Sequence, residues 1–589
     1  MRNRQDNTQP FNGSYRPKGR FKRILVNFLV TIVFGFIYFY FELPALNLHN
    51  KDFYFFFFLL SAVYCGCAII TSGIWRTDDQ AAFFRQVKSH CKIPLIICAA
   101  FLVLIAVGSL ASSVILRAGS YSSLLTINTG NFTEDVQEVS YDQIPMLDRA
   151  SAEKLGDRKL GELSDMVSQF EVSSQNSQLN YNDRPMRVTP LVYGDLIKWL
   201  NNRKNGIPAY VLIDMVTQNV EVVRLEEGMK YTTDEHFMRN LYRHLRFNYP
   251  TYMFDSPIFE IDDNGDPYWI CPRVTMRIGL FGGRDIDGAV LVNAVNGEST
   301  YYPAADVPTW VDRVYTAELI MEQYDYYGQY SNGFLNSLLG QKGVTVTTDG
   351  YNYIAMDDDV YMYTGVTSVG GDQSNVGFIL ANQRTKETRY YQVAGAEEYS
   401  AMSSAQGVVQ HLGYSATFPL LLNINSEPTY FMALKDAAGL VKMYAMVNVR
   451  QYQVVATGQT VIECQDNYRR LLLQNNITTE STAPTTEAIG IVIEKREAVL
   501  EGNTYYYFKL DTSDSYYAVS AADAALSVIV NVGDTVKINF VGDAGSEIVA
   551  GTDLERLSHS QAAPSTEPTV STEPAENTAN DESNSQAAA

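Results

Sequence analysis

The sequence predicts an α-helical membrane anchor joined to an α+β body: three transmembrane helices, tandem helix/antiparallel-sheet modules and a small C-terminal β-barrel. Three observations predict it. Uncharged apolar runs occupy Ile24–Phe41, Phe53–Trp75 and Ile93–Leu116. From Val188 onward, stretches of helical and strand periodicity alternate. Short alternating apolar runs then recur between residues 488 and 557. At 589 residues the chain divides into several domains.

The run Ile93–Leu116 lies between Lys92 and Arg117, and as a helix it would cover roughly 36 Å, enough to cross a hydrocarbon core of about 30 Å. The 23 residues of the N-terminal tail carry Arg2, Arg4, Arg16, Lys18, Arg20, Lys22 and Arg23 against Asp6. The connection around 43–52 holds Lys51, whereas the next loop holds Arg76, Arg85, Lys88 and Lys92. The excess of cations places the N-terminus and the second loop in the cytoplasm and, after three spans, the body outside. The first run ends in Phe39-Tyr40-Phe41-Glu42 without small residues for cleavage, so it reads as a retained span of a three-helix anchor at 24–117 rather than a signal peptide. No Asp, Glu, Lys, Arg or His interrupts the apolar interiors, which argues against an ion pathway; Asn27 and Gly66 read as helix-packing positions.

Charge divides the chain as sharply as hydropathy does. Up to residue 119 there are 13 Lys+Arg and 5 Asp+Glu, leaving 32 against 61 for the rest, a net of −29. Such a body excludes nonspecific nucleic-acid binding, which needs cations to displace counterions. Of six cysteines, Cys271 and Cys464 fall in the body; two buried thiols are the simpler reading, with a single bridge left open.

Residues 118–187 are polar, with a helix expected near Ala150–Phe170 and a Ser/Gln/Asn-rich stretch at Ser173–Asn182, and read as a stalk or spacer. The region 188–474 reads as a tandem α+β array. Its first helix carries Val192, Leu196, Trp199 and Leu200, followed by a strand Ala209–Met215; a second carries Phe237, Met238, Leu241 and Leu245, followed by strands Ile258–Ile261 and Tyr268–Met276. An internal repeat appears at an offset of 89 residues: Gly288–Tyr302 aligns without gaps on Gly377–Tyr391, with Gly, Leu, Asn, Glu and the closing Tyr-Tyr pair identical. Each copy follows a glycine pair, Gly282-Gly283 or Gly370-Gly371, and precedes an amphipathic helix, the second spanning Ala401 to Leu412. Weaker relatives occur at Tyr210–Val223 and at Pro428–Met432 with Gly439–Val447.

A helix, a strand with an aromatic pair such as Pro267-Tyr268-Trp269, and a strand of the form apolar-apolar-apolar-Asn-x-x-x-Gly-Glu together resemble the PepSY-type module of bacterial envelope proteins. The resemblance covers Val188 to Gln474 and implies modules outside the membrane that bind or inhibit rather than catalyse. The long glycine-containing insertions depart from it.

The segment 475–487 is a Thr/Ser/Pro/Glu linker. Runs at Ile489–Ile493, Tyr505–Leu510, Tyr516–Val519, Val528–Val532 and Val536–Phe540 read as five strands of a domain at 488–557, with Gly533-Asp534 turning between the fourth and fifth; it resembles a small OB-like or SH3-like barrel. The tail 558–589 repeats Ser-Thr-Glu-Pro and is expected to be disordered.

Candidate chemistry is sparse. An EF-hand starting at Glu260 fails because Cys271 stands where a bidentate carboxylate is required, so the Asp262-Asp263-Asn264-Gly265 cluster reads as a hairpin turn. Asp357-Asp358-Asp359 reads as solvated charge. His236 and His244 are eight residues apart on one helix, not the four that converge on zinc. Neither a Gly-x-Ser-x-Gly elbow nor His-Glu-x-x-His occurs. No cofactor, metal or catalytic residue is expected. Arg284, in the Gly282-Gly283-Arg284-Asp285 turn, and the pairs Tyr301-Tyr302 and Tyr390-Tyr391 are the candidates for an interaction surface, weighed against ordinary cross-strand packing.

The expected function is that of a membrane-anchored extracytoplasmic binding or scaffold protein of the bacterial cell envelope, non-catalytic. Its expected partners are the lipid bilayer and a protein or wall component. An envelope hydrolase or transferase with an unrecognised site, and an accessory transporter subunit, stay open as alternatives.

Overall fold

A computed structural model describes residues 20–72, 88–138, 144–182, 184–356, 358–370, 374–475, 477, 486–500, 503–521, 524–541 and 548–558. Most of the basic tail, the loop with Arg76 and Arg85, most of the linker, the C-terminal tail from 559, Asp357 and Gly371 lie outside the described residues. The chain divides into two units, Met1–Ile477 and Thr478–Ala589.

In the first unit three helices are long and apolar enough to cross a membrane: Phe21–Glu42, Lys51–Thr71 and Lys92–Ala111. Gly35 lets the first approach Leu60 of the second, and Thr71 Oγ1 donates to Asn27 Oδ1 at 3.1 Å. Asn27 thus joins two spans, while Gly66 has open space where a Cβ would stand. The third helix is shorter than its apolar run. It stops at Ala111, and Ser113 caps a separate helix, Val114–Ser122, by accepting from Ile115 N. Twenty residues still cover about 30 Å.

After the spans come four sheets with one plan. A helix is followed by two short strands that both pair with a long strand, which pairs with a second long strand, which pairs with a closing strand. The first sheet follows the helix Arg149–Gly161 and contains Phe170–Val172, Ser177–Tyr181, Arg184–Tyr193, Ile207–Asp214 and Val220–Met229. The second follows Leu241–Asn248 and is built on Pro267–Ile278 and Gly282–Asn293. The third follows Ala317–Tyr330 and is built on Asp359–Ser368 and Ser374–Asn382; the fourth follows Glu398–Val408 and is built on Glu427–Lys435 and Val441–Asn448. A last helix, Val461–Gln474, packs on the fourth sheet.

The described residues of 118–187 are therefore folded, not a stalk. Ile127–Gly130 pairs in parallel with Thr388–Tyr391 at the edge of the third sheet, and 149–193 supplies the opening half of the first. Its polar composition misled because Ser173, Ser177 and Gln178 are buried and bonded: Gln178 Oε1 accepts from Arg187 and its Nε2 donates to Tyr353 O. Val192 likewise belongs to a strand, and the helix after it is Leu196–Asn202.

The 89-residue offset reappears as geometry. Ala289 pairs with Tyr302 and Val290 with Tyr301; Phe378 pairs with Tyr391 and Ile379 with Tyr390. Tyr301 Oη donates to Asp287 O, and Tyr390 Oη to Val376 O. The second long strand of each sheet ends on an Asx whose side chain caps the following turn: Asp214 Oδ1 accepts from Val216 N, Asn293 Oδ1 from Val295 N, Asn382 Oδ1 from Arg384 N and Asn448 Oδ1 from Gln451 N. Apolar clusters join the first sheet to the second, the second to the third and the third to the fourth. Cys271 and Cys464 are buried free thiols in two of these clusters.

In the second unit, Thr486–Leu500, Asn503–Leu510, Tyr516–Ser520, Thr535–Val541 and Ile548–Ser558 pair in the order first, second, third, fifth, fourth, and the fourth returns to the first. The third and fifth run parallel. The expected strand Val528–Val532 is instead a short 3-10 helix, Ala525–Val528, and a loop. Lys495 Nζ donates to the carbonyls of Ser527, Val528 and Val530, which removes them from any ladder. The true fifth strand lies beyond, and Gly533, at φ 96°, turns into the fourth.

Candidate functional site

The helix Leu241–Asn248 begins where Asn240 Oδ1 accepts from Arg243 N. Its basic residues reach the end of the first span. Arg243 Nε donates to Tyr40 O at 3.0 Å with its guanidinium 4.3 Å over the Tyr40 ring, and Arg246 Nε donates to Leu43 O at 2.9 Å. A helix C-terminus leaves carbonyls unsatisfied and carries partial negative charge, so two guanidinium groups satisfy it on both counts. Burial lowers the Arg246 pKa to about 10, which leaves it charged at neutral pH. Phe247 packs edge-on against Phe39.

The third span meets the hairpin turn between Ile278 and Gly282. Ser112 Oγ accepts from Leu280 N at 2.8 Å and Phe281 N at 2.9 Å, and donates to Gly108 O. His49 Nδ1 donates to Leu280 O at 2.8 Å, and Phe281 packs edge-on against Tyr54. The approach demands glycine: a Cβ on Gly282 would lie 2.2 Å from Tyr121 Oη, and one on Gly108 would lie 2.6 Å from Leu280. The second sheet is thus bolted to the ends of the spans.

A groove of about 720 Å³ lies where the third and fourth sheets meet. It is lined by Ser374, the edge strand Gly395–Ala396, Glu397, Tyr399, Ser400, Ser403 and Ser404 of the adjoining helix and its N-terminus, and Arg450 and Tyr452. Beneath it Glu398 is buried, with its pKa raised by that burial, and accepts from Asn375 Nδ2, which also meets Tyr430 Oη. Arg450 is already paired with both oxygens of Glu427, at 2.8 and 3.0 Å. The groove therefore presents hydroxyls, two aromatic rings and the Glu397 carboxylate beside a neutralised cation, a lining suited to a polar chain.

A second polar cluster is sealed between sheets. Glu260 is fully buried and accepts from Asp312 N at 3.0 Å; Asp312 accepts from Asn180 N at 2.8 Å. Desolvation pushes Glu260 up to about 8, against the pull of Arg313, and burial beside Glu260 raises Asp312 well above the carboxylate range.

The sequence candidates disperse. Tyr302 and Tyr390 pack against one apolar cluster, Tyr301 against another beside Tyr252 and Arg273, and Tyr391 is buried in a third against Phe132. Arg284 pairs with Asp255. These five residues do not share one surface. Asp359, expected as solvated charge, is buried and bidentate with Arg384 at 2.6 and 2.7 Å. Asp262 Oδ1 accepts from Asn264 N and Asp266 N, the turn its composition suggested. His236 packs on Trp199 and His244 on Tyr231. No group of three His, Cys, Asp or Glu placed to hold a metal occurs among the described residues.

The docking residues went unread in the sequence. Two signals were available: Ser112-Ser113 interrupting an apolar run, and the apolar pair Leu280-Phe281 at a glycine-rich turn where polar residues are usual. No protein-family model matches the chain, and neither does any curated protein.

Proposed function

We propose that the chain is a membrane-anchored binding or scaffold protein of the bacterial cell envelope, with its N-terminus cytoplasmic, its body outside, and no catalytic role. The basic tail and acidic body support the orientation. The fourfold helix-and-strand plan supports reading 170–458 as tandem PepSY-like modules, and the strand order with its parallel third and fifth strands supports an OB-like barrel at the C-terminus.

The observation that carries the function is the open groove between the third and fourth sheets, lined by Ser400, Ser403, Ser404, Tyr399 and Tyr452. Hydroxyls and aromatic rings match a polar peptide or wall polymer, held by hydrogen bonds and stacking. A photoreactive amino acid at position 403 of the full chain, irradiated in living cells, tests this. A discrete adduct with an envelope component that disappears when Tyr452→Ala is added supports binding there; a bare chain after irradiation, with the protein intact in the membrane, overturns it. Protease added to sealed spheroplasts tests the orientation separately: it should remove a C-terminal tag and spare one placed before Arg20.

A further inference from the structure

Large apolar side chains stand exposed on two loops tied to the ends of the spans. On the first, Phe237 is 64% exposed and sits at φ 53°, a left-handed conformation costly for a bulky residue. What holds it there is Arg243: NH1 donates to Phe237 O at 2.6 Å while Nε of the same guanidinium donates to Tyr40 O. The Phe237 backbone is therefore one guanidinium's breadth from the end of the first span. Its neighbour Met238 is also exposed, as is Ile197, at 69%, on the helix whose Trp199 packs against the Phe237 ring.

The second loop lies on the side of the third span. Tyr121 Oη donates to Ser112 O at the end of that span, and its ring meets Tyr326 at 4.8 Å. Tyr326 stacks on Tyr330 and Tyr330 on Phe334. The aromatic ladder leads to the turn Asn336–Gly340, where Leu335, Leu338 and Leu339 are 63–79% exposed. Asn336 clasps the base of this finger: its Nδ2 donates to Lys342 O and its Oδ1 accepts from Lys342 N. From Tyr326 to Thr348 there is no Asp or Glu, in a body otherwise strongly acidic, and the one charge is the exposed Lys342.

We propose that these two loops, Phe237-Met238 and Leu335–Leu339, insert into the interfacial layer of the same bilayer the spans cross, so that the second and third sheets are seated on the lipid surface. The proposal rests on the membrane-anchor reading. Lipid is the occupant because both loops are tied to the span ends, the first through Arg243 on Tyr40 and the second through a ladder of Tyr and Phe, residues that favour the headgroup boundary. The finger's lack of carboxylates and its single lysine suit a surface of anionic headgroups. A strained Phe and a clasped Leu turn hold apolar side chains outward, at a cost that burial in the acyl boundary offsets.

The test is photolabelling of the full chain in nanodiscs sized for one copy, with a phospholipid carrying a diazirine near the acyl carbonyl. After irradiation and digestion, peptides with Phe237-Met238 and Leu335–Leu339 should carry carbene adducts at a per-residue density within about threefold of the span ends, as interfacial insertion requires. Labelled spans with both loops at background overturn the proposal and leave the anchor standing; one-copy discs ensure that a second copy acting as the true occupant gives this same result. Labelling of neither loops nor spans overturns the anchor reading and the proposal with it.

Discussion

The second and third sheets carry one hairpin twice, with the same cross-strand partners at an offset of 89 residues, and put the turn that leads into it to different uses. In the second sheet the turn bears Leu280-Phe281 between glycines and seats on Ser112 and Tyr54 at the ends of the spans. In the third, the strand after Val369-Gly370 opens with Ser374, which lines the groove. The ladder and its Asx cap are architecture; the turn is where function diverges.

The sharpest way to break this comparison is to place the same valine in both turns. Gly282→Val drives a Cβ against Tyr121 Oη and Ser112 O, so it should cost about 3 kcal/mol, the upper end for overpacking, and release the hairpin from the span. Gly370→Val meets only Ser368 Oγ, at 3.6 Å, and should stay within about 0.5 kcal/mol. Thermal melts of the full chain in micelles, with limited proteolysis at 279–283, read both. Equal melting temperatures for the two variants would show that the docked turn contributes nothing the free one lacks.

What the sequence disclosed follows from which forces leave a local trace. Repetition did, because a strand that must end on Asn293 or Asn382, turn, and return to a Tyr pair constrains residues at fixed spacing. The spans did, through hydropathy alone, though the Ser112 break passed unnoticed because serine bonds back to Gly108 O and costs an apolar run little. The opening half of the first sheet did not, since Ser177 and Gln178 are polar residues buried by partners far along the chain. Neither did the groove: Ser374, Ser403 and Arg450 meet only after folding.

A second comparison lies inside the turn motif. In the third sheet Asn382 Nδ2 and the Arg384 guanidinium both grip Asp359, the first residue of the long strand; in the fourth, Asn448 Nδ2 and Arg450 grip Glu427 at the same place. The first sheet reverses the charges, with Arg184 opening the first long strand and Asp214 closing the second, 3.1 Å apart. Because Asp359 is buried and Arg384 mostly so, Arg384→Ala should cost about 2 kcal/mol by stranding a carboxylate. A loss no larger than that of an exposed pair would mean that water already reaches Asp359.

The sealed pair Glu260 and Asp312 sharpens the contrast between buried and exposed charge through pH. Glu260 titrates near 4.5 when unfolded and about 8 when folded, so the folded state binds the proton more tightly. Its contribution is complete below about pH 4.5 and is lost as pH rises through 8, at up to about 1.4 kcal/mol per unit for one proton. Asp148 and Asp285, held low by Lys435 and Lys386, act oppositely: their contribution is present above the ordinary carboxylate range and fades as the pH drops below it. Glu260→Gln should therefore flatten the decline in melting temperature between pH 5 and 8 and leave the acid limb unchanged. An unaltered slope would assign that proton to another group.

The smallest effect is expected at Arg450, and its smallness is informative. Arg450 meets both Glu427 oxygens from the single nitrogen Nη1, where Arg384 forks onto Asp359 through Nε and Nη2, and the Arg450 side chain is about half exposed at the rim of the groove. Solvent screening and side-chain entropy should hold the cost of Arg450→Ala below about 1 kcal/mol, and Asn448 still donates to Glu427 in its absence. Since the fold does not depend on it, what Arg450 does for the groove can be read cleanly. The variant leaves the Glu427 carboxylate without its cation beside Tyr452, so adducts formed from position 403 should fall for an acidic partner and rise for a basic one. If the adduct is unchanged while the melt is also unchanged, the partner lies along the serine face of the helix Glu398–Val408 and does not reach the Arg450 side of the groove.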